Sequence, residues 1–175
     1  MKTVNIGKLA VSNDAPLTLI AGPCALETAD HAQMIAGTMA EICERVGANY
    51  VFKASFDKAN RTSLGGKRGA GIEAGLKILE GIKKQFDVPV LTDIHTPEQC
   101  AIAAEVVDVI QSPAFLCRQT DLSIAAGESG AAVNIKKGQF MAPWDMPNVV
   151  AKVESTGNEC LLLTERGVSF GYNTL

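Results

Sequence analysis

Short apolar runs alternate along this chain with longer stretches whose apolar residues recur at helical spacing. The runs at Leu17–Ala21, Tyr50–Ala54, Pro89–Asp93, Val106–Ile110, Ala132–Lys136 and Cys160–Thr164 are rich in β-branched and large apolar side chains, and they predict six short, buried strands. Between the first two, Ile35, Met39, Ile42 and Val46 repeat at i, i+4, i+7 and i+11, with Gly47 where a helix C-cap belongs. Ile72, Leu76, Leu79 and Phe86 repeat in the same way before Pro89. Further helices are expected to start near Pro97, with Thr96 as N-cap, and near Pro147, while Gln119–Glu128 carries a fainter helical pattern. Val4–Val11, with Asn5-Ile6-Gly7-Lys8 between apolar ends, predicts a hairpin ahead of the first strand.

Strand and helix in alternation indicate a parallel α/β architecture, either an open doubly wound sheet or a (β/α)8 TIM barrel. A barrel of this kind takes roughly 250 residues, and this chain has 175. Read as a barrel, the six units would stop two short, and a single domain over residues 1–175 is expected. No repeat, linker or low-complexity stretch divides it.

Composition agrees with a folded domain, at 47% hydrophobic and 20% charged residues. No apolar run approaches the roughly 18 residues of a membrane span, and the N-terminus lacks a signal-peptide core, so a cytoplasmic location with no membrane partner is expected. A net charge of −3 gives no general attraction to nucleic acid, so any anion site must be local. The five cysteines are odd in number and widely spaced, which argues against a disulfide framework and a zinc knuckle.

Chemistry-bearing residues gather at the C-terminal ends of the predicted strands, the ligand face of barrels and open sheets alike. Gly22-Pro23-Cys24 follows the first strand. Lys53, Ser55, Asp57, Lys58, Asn60 and Arg61 follow the second, and Asp93 and His95 the third. Gln111-Ser112-Pro113-Ala114, Lys136-Lys137 and Glu165-Arg166 follow the others. Any one cation here reads as a surface residue ending its strand. Together Lys53, Lys58, Arg61, Lys136 and Arg166 are expected to converge on a polyanion, and two phosphorylated groups account for five cations better than one. Cys24, at the mouth of the first strand, suits either a metal ligand or a nucleophile. Cys43, Cys100 and Cys160 read as core residues, and His31 as a surface residue. His95 and Cys24 alone do not complete a metal site. Gly65, Gly66, Gly69 and Gly71 with Lys67 and Arg68 lack the spacing of a phosphate loop and read as a mobile loop.

The stretches Leu-Ile-Ala-Gly-Pro-Cys24, Lys53-Ala-Ser-Phe-Asp-Lys-Ala-Asn-Arg61-Thr-Ser63, Val90-Leu-Thr-Asp93-Ile-His95, Asp108–Leu122, Val133–Trp144 and Thr164–Asn173 follow one another in the chain. Together they resemble the 3-deoxy-D-manno-octulosonate 8-phosphate synthases, and the resemblance implies a (β/α)8 barrel with its last two units beyond Leu175. These stretches cover essentially the whole chain. The resemblance implies a homotetrameric (β/α)8 barrel that condenses phosphoenolpyruvate with arabinose 5-phosphate and water, releasing phosphate, in lipopolysaccharide synthesis. It implies Lys53, Lys58 and Asp93 as catalytic residues. Lys136 and Arg166, with Pro113 and the Ala114 backbone, would take the phosphoenolpyruvate phosphate. Lys53 and Lys58 would hold its carboxylate and the sugar carbonyl end. Asn60, Arg61 and Thr62 would bind the sugar phosphate, and Asp93 and Gln111 would order the sugar and its loops. Cysteine at position 24 resembles the metal-dependent branch, which implies a divalent metal ion whose remaining ligands, a His, a Glu and an Asp, are expected beyond Leu175. The related synthase that uses erythrose 4-phosphate shares the Gly-Pro-Cys element but has proline where this chain has Ala59-Asn60. A barrel fragment that binds phosphate without turnover is the non-enzymatic alternative.

Overall fold

The computed structural model describes residues 2–169 and 171–172. An antiparallel hairpin of β1 (Val4–Ile6) and β2 (Leu9–Val11) comes first, pairing Val4 with Val11. Gly7 turns it at φ 54°, in the left-handed region. Then follow β3 (Thr18–Ala21), α1 (Ala29–Val46), β4 (Asn49–Lys53), α2 (Ile72–Phe86), β5 (Val90–Asp93), α3 (Pro97–Ala104), β6 (Val109–Ser112), α4 (Thr120–Glu128), β7 (Ala132–Lys136), α5 (Met146–Glu154) and β8 (Leu161–Thr164). The sheet order from β3 to β8 is the chain order. A doubly wound sheet reverses direction at a switch point; this one does not, so the architecture is that of a (β/α) barrel, with six of its strands and an added hairpin. No helix among the described residues is long and apolar enough to cross a membrane.

The chain divides into two compact units, Met1–Asp93 with Val106–Val109, and Ile94–Glu105 with Ile110–Leu175. In the first, Val51, Phe52, Leu79, Ile82, Val90 and Leu91 are fully buried, each such side chain contributing about 1.5–3 kcal/mol of transfer free energy. Thr28 caps α1 by accepting from the His31 N–H at 3.2 Å, and Gly47 closes it at φ 69°. The face that α1 buries is not the one its large residues predict. Ala32, Ala36 and Cys43 are buried, while Ile35, Met39 and Ile42 are half-buried and Val46 is exposed. Small side chains let the helix approach closely: a Cβ on Gly37 would stand 3.1 Å from the Phe86 ring of α2.

Strand β6 also departs from expectation, starting three residues after the predicted Val106. Val106 and Asp108 are committed to another task. Lys83 donates to the Val106 carbonyl at 3.1 Å and to Asp108 Oδ1 at 2.9 Å, while Asp108 Oδ2 accepts from the Val90 N–H at 2.9 Å. Those polar ties accompany a turn at Val106 and a bend at Asp108 in place of strand.

In the second unit Ile110, Val133 and Ile135 of the strands and Cys100, Ala103, Leu122, Ala126, Val149 and Val153 of the helices are all buried. Thr96 does occupy the N-cap position of α3, in extended conformation, but its side chain makes no capping bond. Cys160, expected in the core, is only half-buried. The Asn158 side chain accepts from its N–H at 2.9 Å just ahead of β8.

Candidate active site

In the first unit the ends of β3 and β4 approach too closely for side chains. A Cβ on Gly22 would lie 2.1 Å from the Lys53 carbonyl oxygen, so glycine is required there for contact rather than conformation. Beyond it Ser55 N–H donates to the Cys24 carbonyl at 3.3 Å and Leu26 N–H to the Ser55 carbonyl at 2.9 Å, extending the ladder past the strand ends. This places Ser55, fully buried, under two lysines. Lys58 donates to Ser55 Oγ at 2.6 Å and Lys53 to the same oxygen at 3.4 Å. Two ammonium groups on one neutral oxygen repel each other, and an anionic ligand group relieves that repulsion.

The following loop is stitched down so that Lys58 stays put. Its N–H donates to the Arg68 carbonyl at 2.6 Å, the Arg68 guanidinium pairs with Asp57, and Gly71 N–H donates to the Phe56 carbonyl at 3.0 Å. The Asp57 carboxylate holds the Arg68 guanidinium above its ordinary pKa, first by hydrogen bonding and then by charge. Arg61 does not join the lysine pair. It is exposed, and its Nε donates to the Lys67 carbonyl at 2.8 Å, so in this structure it braces its own loop. Asn60 and Thr62 are exposed beside it, and Gly66 closes a turn onto the Ser63 carbonyl at 3.1 Å. Asp93 ends β5 and is buried at 7% exposure, beside the buried Thr92 hydroxyl.

In the second unit Gln111 and Ser112, expected just after their strand, are its last two residues. Pro113 follows, and Ala114 opens a single 3-10 turn in which Leu116 N–H donates to the Pro113 carbonyl at 2.9 Å. Gln111 belongs to a buried relay. The Thr164 hydroxyl donates to Asn134 Oδ1 at 2.8 Å, and Asn134 Nδ2 donates to Gln111 Oε1 at 3.0 Å. Donation in that direction leaves Gln111 its amide hydrogens for a ligand oxygen.

Lys136, half-buried, ends β7 in register with Thr164 of β8, and Arg166 stands exposed two residues further on. The five expected cations thus fall into two groups, one in each unit. Glu165 beside Arg166 accepts from the Gly167 N–H at 2.7 Å and the Arg166 N–H at 2.8 Å. The Gly167 bond, with those of Arg166 and Lys137, holds the Glu165 carboxyl below its ordinary range. Phe170 and Asn173, in the last matching stretch, lie outside the described residues.

Ser55 and Lys137 were named from the sequence among the polar residues at strand ends but given no role, and Asn134 and Thr164 were not singled out. Strand alternation carried a faint signal for Asn134, an amide in an otherwise apolar run. A separate cleft of about 470 Å³ in the second unit is lined by His95, Arg118, Gln119, Thr120 and Asp121 among others. The His95 N–H donates to Gln99 Oε1 at 2.8 Å.

The exposed Cys24 thiol is chemically suited to a divalent metal ion, but a site needs three or four donors. Among the described residues no three His, Cys, Asp or Glu come together. The described residues therefore do not by themselves complete a metal site.

The sequence matches the DAHP synthetase I family over residues 2–175. The chain belongs to this family. Among relatives within reach of it, a "2-dehydro-3-deoxyphosphooctonate aldolase" from Granulibacter bethesdensis is 62% identical over 174 residues, covering 99% of this chain and 62% of the relative. Proteins of the same name from a Chelativorans species and from Brucella ovis are both 61% identical, over 172 and 173 residues. The chain spans 62% of the length of these family members.

Proposed function

We propose that this family member takes part in condensing phosphoenolpyruvate with arabinose 5-phosphate and water, giving 3-deoxy-D-manno-octulosonate 8-phosphate and phosphate. The observation that carries the reading is the lysine pair. In a chain 61–62% identical to proteins named for the phosphooctonate reaction, Lys58 and Lys53 share the buried Ser55 hydroxyl at 2.6 and 3.4 Å, an arrangement suited to a carboxylate. Lys136, Arg166 and the backbone at Pro113–Ala114 would take the phosphate of phosphoenolpyruvate. Asn60, Arg61 and Thr62 would take the sugar phosphate, which requires Arg61 to exchange the Lys67 carbonyl for a ligand oxygen.

In the reaction C3 of phosphoenolpyruvate forms a bond to the aldehyde carbon, whose oxygen becomes an alkoxide and gains a proton. A water oxygen bonds to C2 and gives up a proton. The C2–O bond to phosphate then breaks as the C2 hydroxyl gives its proton to the departing phosphate, leaving the ketone and inorganic phosphate. The lysines fix the carboxylate and stabilise oxygen charge as it develops. Asp93, buried at the end of β5, and Gln111, whose oxygen is taken by Asn134 and whose amide hydrogens are left to donate, would orient the sugar. Cys24 is proposed as one donor to a divalent metal, and the assembly as a homotetramer.

Phosphate release from phosphoenolpyruvate with arabinose 5-phosphate, set against erythrose 4-phosphate, tests the reading. Release with the first aldose only is expected. Release with the second only moves the chain to the sister reaction, and phosphoenolpyruvate binding without release leaves a phosphate-binding barrel. EDTA followed by Mn²⁺, with metal content measured for Cys24→Ser, tests the donor; light scattering tests the tetramer.

A further inference from the structure

Lys137, the residue after β7, has its side chain 3% exposed in the second unit. A buried ammonium is costly unless each of its three N–H groups finds an acceptor. Here three main-chain carbonyls supply them: Gly138 at 3.2 Å, Met141 at 3.1 Å and Gly167 at 2.8 Å. The Glu165 carboxylate adds a charge partner at 3.3 Å. The first two carbonyls belong to the loop after β7, and Gly167 and Glu165 to the loop after β8. A second tie runs in parallel, from the Ser169 N–H to the Gln139 carbonyl at 3.1 Å.

We propose that Lys137 is a positioning residue, a clamp that locks the loop after β7 to the loop after β8 and so sets the spacing between Lys136 and Arg166 for a phosphate group. The argument is one of placement. Lys136 immediately precedes the clamp, and Arg166 lies between its two contacts on the second loop, Glu165 and Gly167. Glu165 fixes the same turn from the other side, through the Arg166 and Gly167 N–H groups at 2.8 and 2.7 Å. With the ammonium removed, the loops lose their shared centre, and Lys136 and Arg166 keep their charges but not their separation. That the bound phosphate is that of phosphoenolpyruvate rests on the function proposed above.

The test is the Lys137→Met variant, read as separate KM values for the two substrates. The clamp predicts that KM for phosphoenolpyruvate rises about tenfold or more while KM for arabinose 5-phosphate stays within about twofold. Equal rises in both, or no change in a folded variant, overturn it. Should Lys137→Met fail to fold, Glu165→Gln, which keeps the backbone acceptor and loses only the charge, must show the same selective direction; an unselective or absent effect overturns the clamp. If the unaltered protein turns over neither substrate, the proposed function fails, and the clamp is decided by amide hydrogen exchange. Faster exchange at Met141 and Ser169 in the folded variant is then expected, and unchanged protection refutes it.

Discussion

Asn134 donates its side-chain amide to Gln111 Oε1 at 3.0 Å while its own Oδ1 accepts from the Thr164 hydroxyl at 2.8 Å. Gln111 on β6 is thus tied through Asn134 to β8, two strands away in the sheet order. Asn134→Leu removes the link at nearly constant volume and leaves buried polar atoms on both sides without partners. A loss of about 1–3 kcal/mol is expected in urea unfolding. An unchanged midpoint would mean that water already serves these groups. Asn134→Asp, an acceptor only, would turn the Gln111 carbonyl toward the ligand and weaken arabinose 5-phosphate binding.

Lys58 and Ser55 make a second testable pair. Lys58→Met deletes a charge-assisted donor, and kcat/KM for phosphoenolpyruvate is expected to fall about 10²- to 10³-fold. Ser55→Ala keeps both ammonium groups but removes the oxygen they share at 2.6 and 3.4 Å, so its loss is smaller. Steady-state phosphate release measures both. A larger effect for Ser55→Ala than for Lys58→Met would show that the hydroxyl, and not the lysine, meets the substrate.

The strand-and-helix skeleton was legible because buried strands are apolar on both faces and helices repeat at 3.6 residues. The exceptions have physical causes. At Val106 apolar character alone predicted a strand, but the Lys83 and Asp108 contacts that make it a turn come from elsewhere in the chain. On α1 the large residues marked one face, yet close packing selected the small one. Polar residues at strand ends were visible, and so were their charges. Their partners were not, because a hydrogen bond from Lys58 to Ser55 or from Arg61 to the Lys67 carbonyl depends on loop conformation. Lys136 and Lys137 are identical in type and adjacent, and nothing in the sequence tells which one is buried as a clamp.

Two glycines should respond to alanine in opposite senses. At Gly22 the new Cβ would stand 2.1 Å from the Lys53 carbonyl, so β3 or β4 must shift, with an expected cost of about 1–3 kcal/mol or more and a displaced Lys53. At Gly81, within α2, a Cβ meets nothing within 4 Å, and removing helix-interior glycine should stabilise by about 0.5–1 kcal/mol. Thermal melts of the two variants check the pair. A stable, active Gly22→Ala would contradict the close approach that aligns the lysines.

Cysteine chemistry separates the exposed thiol from the buried ones. Cys24 is exposed, while Cys43, Cys100 and Cys117 are buried, so iodoacetamide on the native protein should label Cys24 first, as peptide mass mapping would show. Burial, with the Glu98 charge adding to it, pushes the Cys100 thiol from its ordinary 9.0 up to about 11. The unfolded chain therefore releases this proton at lower pH than the folded one, and above pH 9 the folded state binds more protons. Stability should be full below about pH 9 and decline as pH rises toward 11; burial of Tyr50, whose phenol is also shifted upward, adds to the decline at the alkaline end. Urea midpoints at pH 7.5 and 10 for the unaltered protein and for Cys100→Ala measure it. The alanine variant should lose less stability between the two values, and an identical loss would remove Cys100 as a cause of the alkaline weakening.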